Sequence, residues 1–179
     1  MQTVKMVVTG PFNAGKTAFI KTVSEIDVVS TERKITQESE KVKATTTVAM
    51  DFGRITIDED LVLYLFGTPG QRRFDFMWEI LSEGMLGFIV MVDSCRPETF
   101  REARSILETF RAYAPTPYIV AANKQDLKDA WDLEDMRIAL RLDSTVKILP
   151  CVATDKESVK TVLLELLYQI LQEMEDGAT

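Results

Sequence analysis

Val4-Lys5-Met6-Val7-Val8-Thr9-Gly10-Pro11-Phe12-Asn13-Ala14-Gly15-Lys16-Thr17 decides the architecture. The apolar run Val4–Val8 reads as a buried strand that stops at Gly10, and the pattern from Lys16 to about Ser24 reads as a helix. Between them, Gly10 to Thr17 fits G-x-x-x-x-G-K-[ST], a loop whose flanking glycines let backbone N–H groups turn toward phosphate oxygens. The following helix adds the positive end of its dipole. In this context Lys16 would set its ammonium against β- and γ-phosphates, and Thr17 would offer its hydroxyl to a magnesium ion bridging them. The competing reading is an ordinary strand–turn–helix connection with an incidental Gly-Lys-Thr cap; the strand before the loop and the helix after it are the context that the motif requires.

Working outward, short continuous apolar runs recur at Gly87–Val92 and Tyr118–Ala122, as in strands covered on both faces. Strand-like runs at 46–57 and 61–66 flank Asp58-Glu59-Asp60, a hairpin signal. Helical stretches are predicted at about 98–113, 133–142 and 158–174. In the last, Val159, Leu163, Leu166, Ile170 and Met174 form one apolar face. Residues 25–44, charged and without clear periodicity, read as a mobile loop. The alternation implies an α/β three-layer fold with a mostly parallel six-stranded sheet and one antiparallel edge strand, in a single domain over 1–179.

The 179 residues have ordinary globular composition, 46% hydrophobic and 27% charged. Histidine is absent, so no imidazole base or ligand can come from this chain. The formal net charge of −7 disfavours non-specific nucleic-acid binding. Cys95 and Cys151 read as reduced thiols at the ends of buried strands, and two cysteines cannot build a zinc site. No run is long enough to span a bilayer, and neither terminus carries a lipidation signal. The expectation is a cytoplasmic protein with no stable membrane anchor.

Asn123-Lys124-Gln125-Asp126 follows the run that ends at Ala122 and speaks to the base. A carboxylate at Asp126 could accept hydrogen bonds from the N1–H and exocyclic amine of guanine, donors that adenine lacks there. Asn123 would tie the loop together, and the aliphatic stem of Lys124 would cover the base.

With these motifs the chain resembles the Ras-like small GTPases along essentially its whole length, which implies a Mg²⁺-dependent GTP/GDP switch. The resemblance implies phosphate contacts along Asn13, Ala14, Gly15, Lys16, Thr17 and Ala18. It also implies a guanine contact through the backbone N–H of Ala153 beside Thr154, within Cys151-Val152-Ala153-Thr154. Thr47-Val48-Ala49-Met50-Asp51-Phe52 resembles the first switch, with Thr47, or Thr46 in the alternative register, as the Mg²⁺ ligand sensitive to the γ-phosphate. Gly67-Thr68-Pro69-Gly70-Gln71 resembles the second, where Gly70 would meet the γ-phosphate and Gln71, with Lys16 the implied catalytic pair, would orient the attacking water. That segment carries glycine where the family has aspartate, and it looks most like the MglA-type prokaryotic branch.

The missing aspartate has a candidate replacement. A three-residue turn at Asp58–Asp60 would pair Ile57 with Leu61 and place Asp51 opposite Gly67, on the same sheet face. Asp51 would then support the magnesium site from behind. The competing reading is a solvated strand residue. Phe12 could crowd the γ-phosphate or fold onto apolar surface. No arginine stands beside Thr47, and a placed arginine is worth roughly 10³–10⁵-fold in rate, so slow intrinsic hydrolysis is expected. Arg54, Arg72 and Arg73 read as surface charge.

Phe74, Met77, Trp78, Leu81 and Met85 converge on one helical face, read as packing onto the sheet. Phe76 and Ile80 project on the other side and suggest a protein regulator or effector at the switches, with burial against a neighbouring loop as the competing reading. The MglA resemblance implies a roadblock-fold dimer as that partner. The alternative to a turning-over switch is a nucleotide-binding scaffold with little hydrolysis; a P-loop kinase would leave the guanine loop unexplained.

Overall fold

The computed structural model describes residues 1–39, 42–70 and 74–178, with the side chains of 29–49 outside that description. The strands are β1 (Gln2–Thr9), β2 (Val29–Ser39), β3 (Val42–Asp58), β4 (Leu61–Gly67), β5 (Gly87–Asp93), β6 (Tyr118–Asn123) and β7 (Lys147–Cys151). The helices are α1 (Lys16–Val23), α2 (Phe76–Ser82), α3 (Phe100–Tyr113), α4 (Leu133–Ala139) and α5 (Lys156–Gly177). The strands join one sheet in the order β2-β3-β4-β1-β5-β6-β7.

Alternation along each central strand builds the two faces. Val4, Met6 and Val8 of β1, with Leu63, Leu65, Ile89 and Met91, pack with Phe19 and Ile20 of α1 and Val159, Leu163 and Leu166 of α5. The intervening Val7, Phe88, Val90 and Val92 pack with Trp78 of α2, Phe100 and Phe110 of α3 and Met136 of α4. The result is a helix–sheet–helix sandwich. Pairs β1–β4, β1–β5, β5–β6 and β6–β7 are parallel, so their C-terminal ends share one edge of the sheet, where ligands of such folds bind.

The expected strands are present, and β2 adds one more. Its residues fall within the stretch read as a loop, and that reading is corrected. Val29–Ser39 lacks apolar alternation, yet its backbone pairs antiparallel with β3 from Val29 opposite Phe52 to Ser39 opposite Val42. A ladder with a long neighbour can hold a strand whose sequence carries no core-facing pattern. The antiparallel strand β3 consequently lies inside the sheet, between β2 and β4, not at its edge.

The hairpin differs in detail from expectation. Asp58, not Ile57, pairs with Leu61, so the turn is Glu59-Asp60 and an irregularity falls between Thr56 and Asp58. The bulge absorbs the difference, and Asp51 still stands opposite Gly67.

Helix α5 begins at Lys156, two residues earlier than its periodicity suggests, because the Asp155 side chain accepts from Ser158 N–H as an N-cap. Met174, expected on its buried face, is exposed on the last turns of α5. Phe74, Trp78, Leu81 and Met85 are buried as expected, whereas Phe76 and Ile80 are 52% and 63% exposed. Both cysteines are free thiols; Cys151 is buried at the end of β7, and Cys95 lies two residues beyond β5 and is partly exposed.

Candidate functional site

The loop after β1 has the backbone its sequence requires. Gly10 and Gly15 have φ of 145° and 105°, and Asn13 has φ of 63°, values that favour glycine or asparagine. Both glycines also leave no room for a side chain. A Cβ on Gly10 would stand 2.3 Å from Met91 O, and one on Gly15 would stand 2.2 Å from Asn123 Nδ2. Helix α1 begins at Lys16, and Phe19 N–H is already bonded to Gly15 O at 2.9 Å. The N–H groups of Lys16, Thr17 and Ala18 therefore belong to the helix start, where no preceding turn supplies acceptors.

Lys16 is buried, 8% exposed, and its ammonium donates to Gly10 O at 2.7 Å and Pro11 O at 2.8 Å. Burial lowers its pKa to about 8, against the opposing pull of Glu102 and Asp51. Carbonyl oxygens solvate a buried ammonium only in part, so the site is built to receive an anion. A cleft of about 440 Å³ opens here, lined by Phe12, Asn13, Gly15, Lys16, Thr17, Ala18, Asp51, Thr68, Pro69 and Gly70. Phe12 is 57% exposed on its rim. Gly70 closes against the loop so tightly that a Cβ there would meet Lys16 Nζ and the Phe12 backbone at 2.7 Å.

Asp51 reaches this cleft from β3. Its Oδ2 accepts a hydrogen bond from Thr17 Oγ1 at 2.5 Å. Gly67, its cross-strand partner, leaves the room: a Cβ there would lie 3.1 Å from Asp51 Cβ and 2.9 Å from Ile20 Cδ1. Among the described residues, no group of three or more metal-ligating side chains is gathered. A metal here would need ligand phosphates to complete its shell, as magnesium characteristically does. The polar Thr17 hydroxyl beside a carboxylate fits that role. Thr47, Thr46 and Gln71 have side chains outside the described residues, as do Arg72 and Arg73.

The neighbouring strand ends carry the Asn-Lys-x-Asp loop onto the phosphate loop. Asn123, 3% exposed, donates from Nδ2 to Ala14 O at 2.9 Å, and its Oδ1 accepts from Ala153 N–H at 2.9 Å. One side chain thus joins the loops after β1, β6 and β7. Lys124, in the left-handed region at φ 65°, pairs with Asp93 at 2.7 Å. Asp126 and Thr154 are exposed, whereas Ala153 is buried.

Three participants escaped the sequence reading. Asp93, 2% exposed, and fully buried Ser94 follow β5 and bind the 123–126 loop. Their signal was the polar pair that ends an apolar run level with Asn123. Glu102, on α3, bears on Lys16 electrostatically, a long-range relationship without a local signature.

Residues 8–173 match the family described as "Conserved hypothetical ATP binding protein". An uncharacterized protein of Methanocaldococcus jannaschii is 34% identical over 126 residues, 70% of this chain and 73% of its own. Human ADP-ribosylation factor-related protein 1 is 27% identical over 146 residues, 80% of this chain and 69% of that one. Human ADP-ribosylation factor-like protein 4C is 25% identical over 178 residues, 95% and 88% of the two chains. The ADP-ribosylation factor relatives support the Ras-like placement, while the nearness to the MglA type is not what they show. Nucleotide binding is supported by the family match and by the phosphate loop alike. This chain belongs to the family described as conserved hypothetical ATP binding protein.

Proposed function

We propose that the chain is a guanine-nucleotide switch, a single G domain over 1–179 that binds GTP or GDP with Mg²⁺ and hydrolyses GTP slowly. The observation that carries this reading is the double role of Asn123, bonded to Ala14 of the phosphate loop and to Ala153 N–H. In this reading Asp126, farther along the loop that Asn123 anchors, would face the base. The family description names ATP; a carboxylate at Asp126 favours guanine, whose N1–H and amine can both donate to it.

In this reading Asn13 to Ala18 hold the phosphates, with Lys16 as counter-charge, and Asn123, Lys124, Asp126, Ala153 and Thr154 hold the base. Mg²⁺, when bound, would neutralise charge on the β- and γ-phosphates; Thr17 and Thr47 would be its protein ligands. Asp51 would orient the Thr17 hydroxyl, accepting its hydrogen bond so that an oxygen lone pair faces the cleft. Gly70 and Gln71 would meet the γ-phosphate and the attacking water. Exposed Phe76 and Ile80 would serve a regulator or effector. A roadblock-fold dimer is the candidate implied by likeness to the MglA branch. No helix among the described residues is long and apolar enough to cross a membrane.

A scaffold that keeps nucleotide without turnover is the second reading. Gly67 in the second switch and Phe12 on the cleft rim favour it. Phosphate release from GTP under single-turnover conditions separates the two. Release that stops with EDTA and falls in Gln71→Leu supports the switch; no release above buffer supports the scaffold.

A further inference from the structure

Among the described residues, the most heavily buried carboxylate has no part in the reading above. Asp93, at the end of β5, is 2% exposed. Its Oδ1 accepts from Cys95 N–H at 2.9 Å, and its Oδ2 pairs with Lys124 Nζ at 2.7 Å. Around it the same two loops are joined three more times. Ser94 N–H donates to Asn123 O at 3.1 Å, Gln125 Nε2 donates to Ser94 Oγ at 2.8 Å, and Trp131 N–H donates to Ser94 O at 2.9 Å. Lys124 meanwhile holds a left-handed backbone, φ 65°, which a non-glycine residue keeps only where its surroundings impose it.

We propose that Asp93 is a positioning residue for base recognition, acting through Lys124. A buried carboxylate needs a partner, and Lys124, 38% exposed at its side chain, supplies one while remaining reachable from solvent. With Cα fixed by the loop and Nζ fixed by Asp93, the methylenes between them form a wall in place before any base arrives. Preorganisation of this kind removes the ordering cost from binding. The free lysine would otherwise extend into water, and the base would have to order it. This inference rests on the guanine reading and adds to it a residue outside the Asn-Lys-x-Asp motif.

The test compares GDP binding with tripolyphosphate binding, since the latter probes the phosphate loop alone. Asp93→Asn should weaken GDP about tenfold and leave tripolyphosphate unchanged. Asp93→Asn combined with Lys124→Met should regain most of the loss, because methionine offers an unbranched apolar stem that needs no anion. Equal weakening of both ligands, or no rescue by the double variant, would overturn the inference and make Asp93 merely structural. Should Asp93→Asn not fold, Asp93→Ser, smaller and neutral, carries the same test: weakened GDP with unchanged tripolyphosphate supports the inference, and unchanged GDP refutes it. If the unaltered protein binds ATP as tightly as GTP, the guanine reading itself has failed, which is a separate result.

Discussion

Thr17 Oγ1 lies 2.5 Å from Asp51 Oδ2, a bond between the first turn of α1 and a strand 34 positions later in the sequence. The hydroxyl donates, so its remaining lone pairs are free to face a metal. Removing the carboxylate should therefore act on magnesium rather than on the phosphates directly. Asp51→Ala should lower Mg²⁺-dependent GDP affinity by about 10- to 100-fold, the usual range for a group that orients a metal ligand. Affinity in EDTA should stay the same. Unchanged Mg²⁺ dependence would return Asp51 to the status of a solvated strand residue.

The pairing of Asp51 with Gly67 makes a second prediction about the other strand. Gly67→Asp introduces the residue of the Ras-like pattern but sets a Cβ 2.9 Å from Ile20 Cδ1 and 3.1 Å from Asp51 Cβ. It also adds a like charge across the ladder. The single variant should lose about 1–3 kcal/mol by chemical denaturation. Combining it with Asp51→Ala removes the repulsion while keeping the contacts with Ile20 and with the Cβ at position 51, and should recover part of the stability and part of the magnesium dependence. Additive losses in the pair would contradict a shared role.

Lys16 supplies a pH signature. Its pKa in the fold, about 8, lies below the 10.5 of an unburied lysine. Between those values the folded protein binds fewer protons than the unfolded chain, so this group makes nucleotide-free stability rise with pH across that window. Bound phosphates reverse the burial penalty and return the ammonium to full charge. GDP binding should take up close to one proton near about pH 9 and close to none near about pH 7. Calorimetry in buffers of different ionisation enthalpy reads that difference directly, and Lys16→Met should abolish it.

Gly15 is a tightly constrained backbone position in the site. Alanine there must adopt φ of 105° and would place its Cβ 2.2 Å from Asn123 Nδ2. Gly15→Ala should cost at least about 2 kcal/mol in thermal or chemical unfolding and abolish GDP binding. Normal GDP affinity would mean that the Asn123 junction does not organise the site.

The parallel core was legible because strands buried on both faces must be apolar along their length, as Gly87–Val92 and Tyr118–Ala122 are. The phosphate loop was legible because few residues tolerate its backbone. The Asp51–Gly67 opposition was also readable, although the turn assumed to produce it was wrong; a bulge near Ile57 preserved the register. Strand β2 was not readable, since its charged sequence lacks alternation and its ladder to β3 is a property of the backbone. Asp93 was missed for a related reason. Its partner is 31 residues away, and only the parallel register of β5 and β6 brings the two together.

The base assignment carries the rest, and titration calorimetry of nucleotide-free protein with Mg²⁺ and either GTP or ATP tests it. The account predicts tight GTP binding and ATP weaker by about 100-fold or more, because Asp126 would face adenine without a donor. Asp126→Ala should erase most of that gap. ATP bound as tightly as GTP by the unaltered protein would contradict the account, and would favour the activity that the family's description names.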